Sequence, residues 1–469
     1  MSDRAIRSIA ILGGGIVGLS AAAAFARALP QLAITMVETP LDPAALADRL
    51  PGSTSAIHRF HASIGMDEQA LLGAGAAVPR LGLRFEHWPA GAETWVHVHG
   101  EHGAPAGKIA FHQLWARARR EGRAGAWHLH APAGVIAEAG KFVHPQPGTP
   151  LAAFDYALRL DPARYRDLLA ALADRLRVTR LAGTFGSVEG RADGGVAAVL
   201  LDDGRRVEAD LYLDASGPAA PLAALSSGGF EDWSSALPCD RVAIVEAPPS
   251  AADPNDTIIG GGVQDWQFVS SLPGKTLLGR VHASSDGGDN SVAIRPGRRA
   301  EPWVRNVLAL GDAAVALDPL HWPNLHLAHS GIARAIELLP GRDCHPVETA
   351  EYNRRSRAEA EGMRDFQALH YLRAGTRIEV PDSLARVLDQ FERRGRFVHK
   401  DEDSLLEEVW IAALLGLGVV PQAIDPCAAA VPADTAATRM TEMRAGLAQL
   451  PGRLPSYADY LARCGVPGT

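Results

Sequence analysis

The segment Ile9–Leu19 reads Ile-Ala-Ile-Leu-Gly-Gly-Gly-Ile-Val-Gly-Leu, a short apolar run ending in glycines at the G-x-G-x-x-G spacing: Gly13, Gly15 and Gly18. An alanine-rich stretch follows, then Ile34–Val37 and the acid Glu38, 20 residues after Gly18. The order predicts strand, tight turn, helix and strand. The three glycines answer different needs. Gly13 permits the sharp turn, Gly15 lets the backbone approach a pyrophosphate, and Gly18 lets helix and strand pack closely. Ile16 and Val17 open the helix, whose unpaired N–H groups and dipole favour an anion. Glu38, at the end of the second strand, is placed to bind a ribose hydroxyl.

A chain of 469 residues allows two or three domains, and 47% hydrophobic with 21% charged residues is ordinary globular composition. A net charge of -8 without a basic block argues against nucleic acid or an anionic membrane as the main partner. Cys239, Cys344, Cys427 and Cys464 lie far apart, so neither a disulfide framework nor a zinc site is indicated and a cytoplasmic location is the simplest expectation. Arg4 and Arg7 ahead of an apolar run resemble a signal peptide, but cleavage would destroy the fingerprint. Val409–Val420 is broken by Gly416 and Gly418 and is too short to span a bilayer.

Beyond the opening unit, Pro40 to about Gly52 reads as a loop passing over a bound cofactor, and residues 55–65 as a helix with a glycine stop. Residues 83–88 and 93–99 alternate as strands do; His97 and His99 share a face near His102, and are read as a polar sheet face, not a metal site. Asp161-Pro162 predicts the start of a helix through Arg175. A meander follows, 196–201 and then 206–214 as a single strand ending at Asp214-Ala215-Ser216-Gly217. A second β-rich region covers about 240–300. The strand Asn306–Leu310 leads into Gly311-Asp312 and a helix from Leu325 to Leu339.

Three sequence-distant strand ends, at Gly13, Gly217 and Gly311, are what a two-nucleotide cofactor such as FAD requires. Asp312 is then placed to accept from a ribityl hydroxyl, and the helix opening at Leu325 aims its dipole at the flavin. After Gly341, the segments 346–373, 381–395, 401–415 and 434–449 have helical spacing. The predicted architecture is α/β, an FAD-binding Rossmann-like (GR2-type) domain over 1–345. It carries an inserted β-sheet substrate region (about 80–160 and 220–300) and a helical C-terminal cap over 346–469.

At this point the chain resembles the flavin-dependent tryptophan halogenases. The similarity runs nearly end to end: the fingerprint, Leu81–Trp88, Phe111–Trp115, Asp210–Gly217, Asp318-Pro319-Leu320, His326-Leu327 and Ser330–Arg334. It continues through Asp365-Phe366, Leu369–Tyr371, Pro381–Leu384, Glu407–Trp410 and Gly418–Pro421. The resemblance implies that FADH2 from a separate flavin reductase reacts with O2 to give a C4a-hydroperoxide, which halide attacks. The hypohalous acid then travels down a tunnel to a lysine beside an aromatic substrate. A glutamate assists the substrate, and a threonine with an adjacent N–H holds the halide.

The reacting positions depart from that pattern. Arg80 matches the lysine, and a guanidinium is always charged and a poor nucleophile. The run Pro319-Leu320-His321-Trp322-Pro323-Asn324 puts His321 in place of the glutamate and Pro323, with neither hydroxyl nor N–H, in place of the threonine. The W-x-W-x-I-P signature survives as Trp266-Gln267-Phe268, and Leu50-Pro51-Gly52-Ser53 lacks the family's acid. Roughly ten residues are missing between Tyr371 and Pro381, within what surface connections tolerate.

Arg80 and His321 are thus the candidate catalytic pair, and Trp322, Pro323, Asn324, Trp266, Phe268 and Trp410 the substrate and halide region. The expected function is an FAD-dependent monooxygenase acting on a small aromatic or indole-like substrate, with FADH2 supplied by a reductase. A halogenase with a rearranged site and a catalytically silent FAD-binding partner of a paralogue are the alternatives. Substrate identity and oligomeric state, including a homodimer, stay open.

Overall fold

The glycine fingerprint folds into β1 (Ser8–Leu12), α1 (Ile16–Ala28) and β2 (Ala33–Glu38), in the order its spacing predicts. The computed structural model describes residues 5–152, 154–225, 229–262, 264–284, 290–398 and 404–468. Residues 1–4 of the opening unit and 401–403 at the head of the expected helix 401–415 lie outside them. The chain divides into two units: 1–77, 160–243 and 283–361 form the first; 78–159, 244–282 and 362–469 form the second.

In the first unit, α2 (Pro162–Arg175) precedes β3 (Thr179–Ala182), β4 (Leu211–Asp214), β5 (Trp303–Val304) and β6 (Val307–Ala309). The six strands form one sheet in the order β5-β6-β4-β1-β2-β3, parallel except for the short β5. Such a sheet is covered on both faces and its strands are apolar throughout; Ile9, Ile11, Met36, Leu211, Leu213 and Leu308 are all buried. Helix α1 owes its close packing to small residues, with Ala21, Ala22 and Ala23 buried completely. Helix α2 begins as its sequence indicates: the Asp161 carboxylate accepts from the N–H groups of Ala163 and Arg164, and Pro162 takes the first position, where no N–H is needed.

The expected strand 206–214 is two strands. Arg206–Glu208 joins an antiparallel meander with Val196–Leu201 and Phe185–Gly190, whereas β4 enters the parallel sheet. The chain changes sheet at Ala209-Asp210 because side chains there hold backbone groups that a continuous ladder would use. The Asp210 carboxylate accepts from the N–H of Arg7 at 2.7 Å and of Ser8 at 3.2 Å, and the Tyr212 hydroxyl from the N–H of Ala209 at 2.9 Å. The same unit contains α3 (Pro323–Glu337), which starts two residues before the expected Leu325.

The second unit contains a twisted run of strands ordered Lys275–His282, Asp265–Leu272, Asn255–Gly260, Gly82–Glu86 and Trp95–Val98. Gly82–Glu86 pairs in parallel with Asn255–Gly260 and antiparallel with Trp95–Val98. Its helices include Asp382–Arg394, Glu407–Gly416 and Ala433–Leu447, near the expected positions. Phe111–Arg120 and Pro132–Glu138 are helices in a stretch whose apolar pattern is mixed. Among the described residues no helix is long and apolar enough to cross a membrane.

Candidate functional site

The register of the parallel sheet aligns Leu12 with Val37 and Asp214, and Asp214 with Ala309, so four strands end side by side. The residues that follow are those the sequence singles out: Gly13, Glu38, Ala215–Gly217 and Gly311-Asp312. In open α/β sheets this carboxyl edge is where ligands bind. Gly13 has φ +135°, and a Cβ there would collide with the Ala215 carbonyl; one on Gly18 would collide with the Gly13 carbonyl. Gly217, at φ +98°, brings the backbone so near the loop that a Cβ would lie 2.9 Å from Cβ of Asp42. Gly311, at φ +60°, is packed equally close on Val17.

The acids at this edge are engaged by the protein. Glu38 accepts from Arg180, whose Nε lies 2.8 Å away and which also contacts Asp174. Asp214 is fully buried and serves its own loop, accepting from Ser216 Oγ at 2.6 Å and from the N–H groups of Leu222 and Ala223 at 2.9 and 3.0 Å. Asp312 accepts from the N–H of Ala47 at 2.8 Å and from Asn324 Nδ2 at 3.3 Å. Burial pushes the Asp312 carboxyl up to about 7, opposed by the Ala47 hydrogen bond and reinforced by the charge of Asp48.

Asp48 and Arg180 were not visible as site residues in the sequence; no motif marks either. Asp48 lies in the 40–52 loop that the sequence reading places over the cofactor, and it fills the space opened by the missing side chain of Gly15. A Cβ on Gly15 would collide with the Asp48 carboxylate, which accepts from the N–H of Val17 at 3.1 Å. Burial raises the Asp48 carboxyl to about 6 against the pull of the Val17 and Ile16 N–H groups. The glycine turn, the N-terminus of α1 and the adjoining strand ends fit a dinucleotide.

At the start of α3, His321 and Trp322 adopt consecutive left-handed conformations, φ +66° and +59°. Non-glycine residues seldom do so, and a pair of them stores strain that surrounding packing must hold. Part of that packing is Trp322 itself, 1% exposed, whose ring lies where a Cβ on Gly52 would be. Pro323 is the first residue of α3, and Asn324 is buried with its amide donating to the Leu317 carbonyl at 2.9 Å. Leu325 is buried in the first turn. Three residues into the helix, His326 Nδ1 lies 3.1 Å from the Thr54 hydroxyl.

Arg80 belongs to the second unit and is 1% exposed. Its Nε lies 3.3 Å from Asp256 Oδ2, while Arg159 Nε lies 2.7 Å from Oδ1 of the same carboxylate. Burial pushes the Arg80 guanidinium down to about 10; Asp256 counters this and Arg159 adds to it. At neutral pH it stays a cation.

Trp266 and Phe268 are buried on one strand, with Trp266 Nε1 donating to the Tyr371 hydroxyl at 3.0 Å. Trp410 packs edge-on against Phe366, ring centroids 5.0 Å apart. His97 contacts the Val409 carbonyl through Nε2 at 3.1 Å, and among the described residues no cluster of side chains could hold a metal ion. The same unit has a cavity of about 420 Å³ walled by Trp95, Trp115, Trp127 and Leu417, with Glu93, Thr94, Arg119 and His128 among its polar members.

An open parallel sheet with a glycine turn, a helix N-terminus and two further glycine-bearing strand ends along its carboxyl edge defines a dinucleotide-binding α/β protein. The chain belongs to the tryptophan halogenase family, whose sequence profile matches residues 8–262 and 273–433. Among solved structures it is similar to BrvH, a flavin-dependent halogenase from Brevundimonas sp. BAL3, at 30% identity over 98% of this chain and 99% of that one, with a TM-score of 0.91. It is similar to Xcc4156, a flavin-dependent halogenase from Xanthomonas campestris, at 29% identity over 99% of both chains and the same TM-score. Among curated proteins, the tryptophan 7-halogenase RebH of Lentzea aerocolonigenes is 22% identical over 92% of this chain and 93% of its own length.

Proposed function

We propose that this protein is an FAD-dependent oxidoreductase that inserts oxygen into a small aromatic or indole-like substrate, using FADH2 delivered by a separate reductase. The observation that carries this reading is the pairing of Arg80 with Asp256 at the position where the resembling enzymes have a lysine. An amine there can take up a halogen; a guanidinium held to a buried carboxylate keeps its charge and is a poor nucleophile. Pro323, without an N–H, weakens the case for a halide seat beside it.

Bound reduced FAD would supply the activation of O2. The residues of the chain would supply the rest: Gly13–Gly18 and Gly311 would let the backbone approach the cofactor, and Asp312 and Asn324 would offer polar groups toward its flavin end. His321 would take the proton of a phenol or indole. The tryptophan-walled cavity supports an aromatic substrate, since flat rings stack well on such surfaces.

One observation favours a second reading. The 29–30% identity with two flavin-dependent halogenases over almost the whole chain supports halogen transfer through a rearranged site. Supplying the protein with FAD, a reductase and a panel of phenols and indoles, with and without bromide, separates the two. Hydroxylated product independent of bromide supports oxygenation; brominated product supports the second reading.

A further inference from the structure

We infer that Asp48 is a built-in occupant of the cofactor's pyrophosphate seat, so that cofactor binding requires its carboxylate to leave the N-terminus of α1. The inference rests on the reading of this edge as a flavin site, and it concerns a residue for which nothing in the glycine motif makes provision.

The second glycine of such a motif is useful because the backbone there has no side chain between it and a phosphate. In this chain that space is taken: the Asp48 carboxylate lies against Gly15 and accepts the Val17 N–H, one of the donors an anion at the helix N-terminus would use. A carboxylate and a pyrophosphate cannot share these donors, and side by side they repel.

The loop is held at a second point, one residue away. The Ala47 N–H donates to Asp312 at 2.8 Å, so consecutive residues of the turn Leu46–Asp48 are fastened to Asp312 and to the N-terminus of α1. Asp48 is 5% exposed and Ala47 1%, which makes the closed loop a packed part of the fold. Asp42 and Ala45, packed on the Gly217 turn, continue the same cover. The groups facing Asp48 are the N–H donors of α1, the carboxylates of Asp42 and Asp312, and Arg166 on α2. The cofactor therefore competes with an internal anion and must open the loop, or find it open, before its phosphates reach α1.

Calorimetric titration of FAD and of ADP into the whole chain and into Asp48→Ala and Asp48→Asn tests this directly. Losing an N-terminal carboxylate that caps a helix corresponds to about a ten-fold change in an equilibrium. Asp48→Ala is expected to bind both ligands about ten-fold more tightly. Asp48→Asn, which keeps the shape and an acceptor for the Val17 N–H, should improve binding by a smaller factor and serves if the alanine variant folds poorly.

Amide hydrogen exchange gives a readout apart from affinity. In the wild type, residues 44–50 should be protected and should exchange faster once ADP is added; in Asp48→Ala they should exchange fast from the start. Equal or weaker binding by both variants, or an unchanged exchange rate on adding ADP, overturns the inference while leaving the flavin site intact. If neither wild type nor variants bind FAD or ADP, the flavin reading falls and this inference with it.

Discussion

Arg80 and Asp256 form an ion pair from which water is shut out: Nε and Oδ2 are 3.3 Å apart, and the side chains are 1% and 0% exposed. Asp256 also holds Arg159, so one carboxylate serves two buried guanidinium groups. Arg80 is thus a member of a fixed charge cluster. Whatever the cluster contributes to chemistry, it contributes as permanent charge.

Such a cluster is costly to break. Asp256→Asn would leave two buried cations without a counter-ion, and losses of about 3–5 kcal/mol are typical when one partner of a buried pair is removed. Urea unfolding should show a loss in that range. A loss below about 1 kcal/mol, the ordinary value for an exposed pair, would mean that water reaches the cluster.

Gly52 and Trp322 make a steric pair. A Cβ at position 52 would overlap the indole ring, and overpacking of this kind costs about 1–3 kcal/mol. Gly52→Ala should destabilise by that amount, and far less in a Trp322→Ala background. A double-mutant cycle measures the coupling, and additive effects would show that the two do not meet.

The buried histidines of the second unit set how its stability varies with pH. Burial holds His97 at about 4, His102 at about 3, His130 at about 4 and His370 at about 3, all below the ordinary 6.5. The unfolded chain therefore takes up protons as pH falls from 6.5 toward 4 and the folded chain does not, so stability is lost over that window. Each such histidine steepens the slope by up to about 1.4 kcal/mol per pH unit. His97→Gln should flatten the profile by close to that amount; an unchanged slope would mean His97 titrates alike in both states. In the first unit Asp48 and Asp312 act oppositely: burial favours their protonated forms, so their contribution fades as pH rises through about 6 and about 7.

The parts of the site that depend on neighbours in the chain were readable in the sequence. Gly13, through its positive φ, and Gly18, packed on the Gly13 carbonyl, answer local backbone demands, and Asp161-Pro162 and Gly65, the left-handed cap of the helix Ile57–Ile64, mark helix ends through their own conformations. What could not be read depends on residues brought together from a distance. Nothing near Arg80 announces Asp256 and Arg159, and nothing near Glu38 announces Arg180. Asp210 gives no local sign that it will bind the backbone of Arg7 and Ser8 and split a strand in two. Asp48 is the clearest case: its loop reads as a cover, but its choice of Val17 as partner is a fact of tertiary packing.

At the start of α3, His321→Asn keeps a residue that tolerates the left-handed backbone and removes the imidazole. Substrate oxidation should fall by about 100-fold, the lower range for loss of a general base, while FAD affinity stays unchanged. Equal turnover would remove His321 from the proton transfer. The triple change Arg80→Lys, His321→Glu and Pro323→Thr should in turn move product toward halogenation.

The most direct test of oxygen transfer is mass spectrometry of the product formed from FADH2, an aromatic substrate and isotopically heavy dioxygen, with chloride and bromide present. Direct oxygen insertion predicts a hydroxylated product that carries heavy oxygen and no halogen. A halogenated product without label would contradict it.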